Sequence, residues 1–177
     1  KGKSENEILV STYCCHPNLA NDNLSGIVAS VMLFKYLTTI ETKFSYRLII
    51  APETIGVITF LNKHDISKVL GGMIVSCVAG PGPLSIKEGF DNNHWINKAG
   101  IWALEELTGG DFIRYPFIPN GSDERQYSSP AFRIVTPSIH KSKYYEYPEY
   151  HTSADNLDFI SSSFLSESIE AYKKWIR

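Results

Sequence analysis

Three apolar runs, each broken off by a turn, constrain this chain more than any other feature: Glu7–Tyr13 (EILVSTY), Phe44–Ala51 and Leu70–Ala79 (LGGMIVSCVA). Short β-branched runs of this kind read as buried strands. The segments between them have helical spacing. Leu24–Thr38 is apolar at Ile27, Val28, Val31, Leu33, Phe34 and Leu37, and Gly56–Asn62 reads as a short helix. Asn92–Thr108 carries Trp95, Ile96, Ala99, Trp102, Ala103 and Leu107 on a helical period and stops at Gly109-Gly110, the usual carboxyl-terminal signal. Asp158–Trp175 closes the chain as an amphipathic helix with Phe164, Leu165, Ile169, Tyr172 and Trp175. Shorter strands are expected at Leu84–Lys87, Phe112–Tyr115 and Arg133–Thr136, and Lys141–Tyr150, dense in Lys, Tyr and Glu, reads as an exposed aromatic loop. Buried strands alternating with helices predict an α/β fold of three layers, α/β/α, with a mainly parallel central sheet.

Composition narrows the partners. With 177 residues, 43% hydrophobic and 12% aromatic, the chain suffices for a single domain over 1–177. It begins Lys1-Gly2-Lys3 without an initiator Met, and so reads as a fragment to which other domains of a longer chain attach. A net charge of -2 and the lack of any basic run argue against nucleic acid. No apolar run reaches the length of a membrane span. Three cysteines, with Cys14 and Cys15 adjacent, make no disulfide framework, and free thiols suit a cytoplasmic setting.

Chemistry-bearing residues gather where strands end. His16 follows the first strand and Glu53 follows the second, and in parallel sheets ligands bind beyond the carboxyl ends of the strands. His and carboxylate residues are the usual zinc ligands. His16 and Asp22 are close enough for one loop to fold around one ion, although Asp22 also suits a cap on the helix that starts near Leu24. Cys77 reads either as a small buried hydrophobe in the third strand or as a thiolate ligand. His64, His94 and His140 lack a companion motif and read as surface or helix-end residues.

Taken in order, His16, Asp22-Asn23-Leu24-Ser25-Gly26-Ile27, Pro52-Glu53-Thr54-Ile55-Gly56 and His151-Thr152-Ser153-Ala154-Asp155-Asn156-Leu157 resemble the motif set of the dizinc aminopeptidases. The phrases HPNLANDNLSG, NGSDERQYSSP and EYPEYHTSADNLDFI resemble, more closely, a bacterial family of aminopeptidase-like domains associated with polysaccharide-biosynthesis proteins, related to the dizinc aminopeptidases and glutaminyl cyclases. The resemblance implies a zinc-peptidase fold. It makes His16 a ligand of one metal, Asp22 the carboxylate that bridges two, His151 a ligand of the other and Glu53 the general base.

Three departures from the pattern matter. Thr54 stands where the aminopeptidases have a second, metal-binding Glu; Cys77 falls near a family Asp; and Asn18 replaces an acidic residue. They imply one zinc per chain instead of two, held by His16, Asp22 and His151, with Cys77 a candidate fourth ligand. Asp123 lies where the aminopeptidases carry a Ser-Asp phrase, which makes it a candidate to touch metal or substrate; its plainer reading is a cap on a short helix. The implied function is a zinc-dependent hydrolase, an aminopeptidase or amidase, acting on a small peptide or amide-bearing substrate. The alternatives are a glutaminyl-cyclase-like transferase and a non-catalytic metal-binding or interaction module in a polysaccharide-biosynthesis protein. Tyr144, Tyr145, Tyr147 and Tyr150 suit a substrate cleft or an interface equally.

Overall fold

A computed structural model describes residues 1–177. In chain order it contains β1 (Glu7–Tyr13), a π-helical turn (Ala20–Ser25) leading into α1 (Gly26–Leu37), β2 (Ser45–Ala51), α2 (Ile55–Lys63), β3 (Val69–Val75), β4 (Leu84–Lys87), α3 (Trp95–Thr108), β5 (Ile113–Tyr115), α4 (Glu124–Tyr127), β6 (Ser138–Lys141) and α5 (Ser162–Ile176). The strands form one six-stranded sheet in the order β2-β1-β3-β6-β4-β5. Every neighbouring pair is parallel except β4 with β6. No helix is long and apolar enough to cross a membrane.

Strand alternation explains the layers. Ile8 and Val10 of β1 join Met73 and Val75 of β3 in a core covered by α1, α3 and α5. Leu9, one residue out of phase, joins Ile49 and Ile74 in a second core under α2 and α4. Each such side chain contributes about 1.5–3 kcal/mol on burial, so β1 is held from both faces. After β1 the chain passes to β2 on one side and then to β3 on the other. That reversal is the switch point at which α/β sheets open a crevice beyond their strand ends. At Gly26 a Cβ would stand 2.4 Å from the Val75 carbonyl, so only glycine lets the start of α1 sit against the end of β3 there.

Several details depart from the sequence expectations. The apolar run Leu70–Ala79 leaves the sheet at Val75, and Cys77, at φ 53°, lies in the loop beyond it. Arg133–Thr136 is not a strand: Arg133 turns at φ 51°, and β6 starts only after Pro137. On α3 the tryptophans face outward, with Trp95 43% and Trp102 49% exposed. The inward face is Ile96, Asn97, Gly100, Ala103 and Leu104. Asn97 disguised it: this polar side chain is buried because it accepts from Gly89 N–H (2.8 Å) and donates to the Asp91 carbonyl (2.6 Å). Helix α5 starts at Ser162 because the Ser161 hydroxyl caps it, accepting from Phe164 N–H at 3.1 Å.

His94 and His64 stand at helix ends, as expected. His140 does not: it lies fully buried on β6, with Nδ1 2.8 Å from the Ser76 carbonyl and Nε2 2.8 Å from Ser138 Oγ. Burial pushes its pKa down to about 3, so the ring is a neutral linker between β3 and β6. The loop Lys141–Tyr150 is only partly exposed, since Tyr144 and Tyr147 are buried while Tyr145 faces solvent.

Strands β3 and β6 pair over two positions only, Ile74 with Ser138 and Val75 with Ile139. Tyr172 of α5 extends that short ladder: its buried hydroxyl accepts from Ile139 N–H (3.0 Å) and donates to the Ile74 carbonyl (2.7 Å). Tyr172→Phe strands a buried N–H, and the expected loss is about 1–3 kcal/mol, read from the urea unfolding midpoint. A loss below about 0.5 kcal/mol, the level of an ordinary surface change, would show that Tyr172 acts through packing alone.

Candidate metal centre

The carboxyl end of β1 delivers Tyr13 and, just beyond it, His16; the π-helical turn presents Asp22; the loop before α5 brings His151. Asp22 is buried, and its two oxygens have different surroundings. Oδ1 accepts from the Tyr13 hydroxyl at 2.6 Å and has the Cys77 sulfur 3.8 Å away. Oδ2 has no hydrogen-bond partner and faces His151 Nε2 at 3.0 Å and His16 Nδ1 at 3.6 Å. All three donor atoms lie within 4.8 Å of one another. The two imidazoles stand 4.7 Å apart, and Tyr150 stacks on His151 at 3.9 Å with 17° between planes.

The turn owes its shape to asparagines that the sequence reading did not single out. Asn23 donates to Thr12 Oγ1 (2.8 Å) and the Tyr13 carbonyl (3.0 Å) and accepts from Cys77 N–H (3.3 Å). Asn21 accepts from Ala79 N–H (2.9 Å) and donates to the Ser142 carbonyl (3.3 Å). Both are buried. They supply the backbone partners that an irregular buried turn requires, and the carboxylate between them is left to face the histidines. The signal available was the Asn21-Asp22-Asn23 cluster itself, three short polar side chains of a type that bonds to nearby backbone.

Glu53 stands at the end of β2, half-buried. Burial raises its pKa above the ordinary carboxylate value; the Ser122 hydroxyl pulls the other way, and the nearby Asp22 and Glu124 charges raise it further. Thr54 follows at φ 64°, a rare conformation for a β-branched residue. Its N–H donates to Asp123 Oδ1 at 2.8 Å. Asp123 therefore does not cap α4, where no side-chain cap bond forms; it anchors the turn that carries Glu53. Cys77 lies on the Oδ1 side of Asp22, outside the group formed by His16, Asp22 and His151. Burial, and then the charge of Asp22, hold its thiol well above the usual range. Thr54, Cys77 and His151 all have positive φ, and backbone strain of about 1–3 kcal/mol per residue gathers at functional sites.

The donor set fits zinc. A tetrahedral zinc at about 2.0–2.1 Å from its ligands holds them about 3.3 Å apart. The separations from Asp22 Oδ2, 3.0 and 3.6 Å, bracket that value, the three donor atoms together lie within 4.8 Å of one another, and a cation would satisfy the buried carboxylate oxygen that has no hydrogen bond. A cavity of about 410 Å³ lined by Tyr36, Phe44, Trp95 and Trp175 lies elsewhere, around Ile8 and Met73.

The fold is that of the zinc aminopeptidases and glutaminyl cyclases. A Bacillus subtilis zinc aminopeptidase superposes with a TM-score of 0.82 at 15% identity, covering 99% of this chain and 47% of that one. A Bacteroides thetaiotaomicron glutaminyl cyclase does so at 0.77 and 17% identity, covering 98% and 73%. At such identities the likeness is one of fold. The chain belongs to the family described as "Domain of unknown function (DUF4910)", which matches residues 1–177. A Clostridium acetobutylicum protein described as a polysaccharide biosynthesis protein with an aminopeptidase-like domain is 38% identical over 174 residues. A crystal structure described as a peptidase from the same organism matches with a TM-score of 0.93 at 37% identity, over 99% of this chain. The chain spans 40% of the length of the former and 42% of the latter.

Asp123 yields a pH test. Burial raises its carboxyl from the ordinary 3.8 to about 7. The folded chain thus holds this proton more tightly than the unfolded chain, and the associated stability is full below about pH 4 and lost as the pH rises towards 7. Asp123→Asn keeps an acceptor for Thr54 N–H and removes the ionisation. Urea unfolding should find the variant more stable than the parent at pH 8 and little different at pH 4; the same difference at both pH values would sink the assignment.

Proposed function

We propose that this domain is a zinc-dependent hydrolase of peptide or amide bonds, aminopeptidase-like, with one metal held by His16, Asp22 and His151 and with Glu53 as general base. The observation that carries the reading is the buried Asp22 Oδ2, without a hydrogen bond, between two imidazole nitrogens. Two histidines and a carboxylate are a donor set found in catalytic zinc sites, where a further position stays open for water or substrate. Zinc bound there supplies Lewis acidity, lowering the pKa of water towards about 7 and polarising a carbonyl.

One metal is favoured over two by the state of Asp22 Oδ1. Oδ1 takes a hydrogen bond from the Tyr13 hydroxyl at 2.6 Å and has the Cys77 sulfur, not a further carboxylate or imidazole, as its other neighbour at 3.8 Å. Thr54 has no carboxylate to offer a second ion and turns its N–H to Asp123. Glu53 is close enough to Asp22 and His16 for their charges to act on it. Its raised pKa makes it a better acceptor of a proton from an attacking water, and then a donor of that proton to the leaving amine. A small peptide or amide-bearing substrate suits this chemistry. The names of the similar proteins, aminopeptidase among them, support the same reading.

Elemental analysis of protein purified without chelator should find about one zinc per chain, lost in His16→Ala, Asp22→Ala and His151→Ala. Glu53→Gln should keep the metal and lose about 10²- to 10⁴-fold in turnover of aminoacyl amides. A parent protein that takes up no zinc after incubation with the ion would sink the mechanism. Turnover unaffected by Glu53→Gln would remove the base, and zinc binding without turnover of any amide would leave a non-catalytic module.

A further inference from the structure

His151 and Asp22 are 129 positions apart in the chain, so something must hold their loops in register to better than an ångström if both are to bind one ion. Asp155 does so. Three consecutive amides of the segment bearing Asp22 donate to this one residue: Ala20 N–H to its carbonyl at 3.0 Å, Asn21 N–H to Oδ1 at 2.6 Å and Asp22 N–H to Oδ2 at 3.0 Å. The Tyr147 hydroxyl adds a bond to Oδ2 at 3.2 Å. Asp155 is fully buried, where bonds of charged acceptors to backbone amides are strongest. Its own N–H donates to the Thr152 carbonyl at 3.1 Å, closing the turn that directly follows His151.

We propose that Asp155 is a positioning residue of the metal centre, clamping the backbone of the Asp22 turn to the His151 loop so that Asp22 Oδ2 and His151 Nε2 converge. The assignment rests on the zinc reading above. Asp155 touches neither metal nor substrate; it acts through the backbone of one ligand and the turn of another. Two acceptor oxygens are needed because two adjacent amides point at it, and an asparagine in its place would set an NH₂ group against one of them. Groups that orient metal ligands from behind typically account for about 10- to 100-fold in metal affinity.

The test is zinc affinity, measured on the full-length protein by competition with a chromophoric chelator, for the parent, Asp155→Asn and Tyr147→Phe. Asp155→Asn should bind zinc about 10- to 100-fold more weakly, and its cobalt-saturated form should show displaced visible bands, because the surviving ligands no longer meet at the same angle. Tyr147→Phe, which removes one bond and leaves both clamped amides, should weaken binding by less, about two- to fivefold. Circular dichroism and a melting curve of the metal-free protein separate this from general loosening. Zinc affinity within twofold of the parent in Asp155→Asn, with an unchanged cobalt spectrum, would overturn the proposal even if the variant melts earlier, and the zinc reading would stand. Should Asp155→Asn fail to fold, Asp155→Glu decides, since it keeps both acceptor oxygens but displaces them by one methylene from the Asn21 and Asp22 amides: a parental affinity and spectrum there overturn the clamp. A parent that binds no zinc removes both readings at once.

Discussion

The unequal treatment of one carboxylate governs the rest of this structure. Asp22 is buried, and a buried carboxylate without partners is costly. Its Oδ1 is satisfied by Tyr13; its Oδ2 is not. Around it the structure assembles what is needed to hold that imbalance: asparagines on both sides that tie down the turn, a strand end that supplies the tyrosine, and two histidines brought from opposite ends of the chain. The sheet reversal between β1 and β3 provides the crevice in which these parts can meet.

The substitutions that separate this chain from the dizinc pattern form one consistent set. Thr54 stands at φ 64° and donates its N–H to Asp123, so the turn after Glu53 is held without a carboxylate at position 54. Cys77, a thiol held neutral by burial, packs beside the oxygen of Asp22 that Tyr13 already occupies. One oxygen of Asp22 is thus covered by a hydroxyl and a thiol, while the other faces the histidines.

How much of this was legible in the sequence depended on how far each signal was local. The strands Glu7–Tyr13 and Ser45–Ala51 were visible because an apolar, β-branched run needs no context, and the residues after them, His16 and Glu53, followed from the chain direction. The inward face of α3 was misread because Asn97 is buried through bonds to Gly89 and Asp91 that no periodicity encodes. His140 was misread as a surface or helix-end residue because its distant partner, the Ser76 carbonyl, meets it only when β3 pairs with β6. Asp123 was visible as a candidate, yet its partner, Thr54 N–H, lies 69 positions away. Polar residues satisfied by distant backbone are the ones that sequence patterning cannot place.

The stacking of Tyr150 on His151 has a consequence for kinetics. An imidazole on an exposed loop ordinarily samples several rotamers and must lose that freedom when it binds a ligand. Here the tyrosine ring, itself braced edge-on by Tyr145 and Tyr147, removes much of that freedom during folding. Such preorganisation shifts the entropic cost of capture from the binding step to the folding step. On the zinc reading proposed above, a cation would meet an imidazole that needs desolvation more than rearrangement.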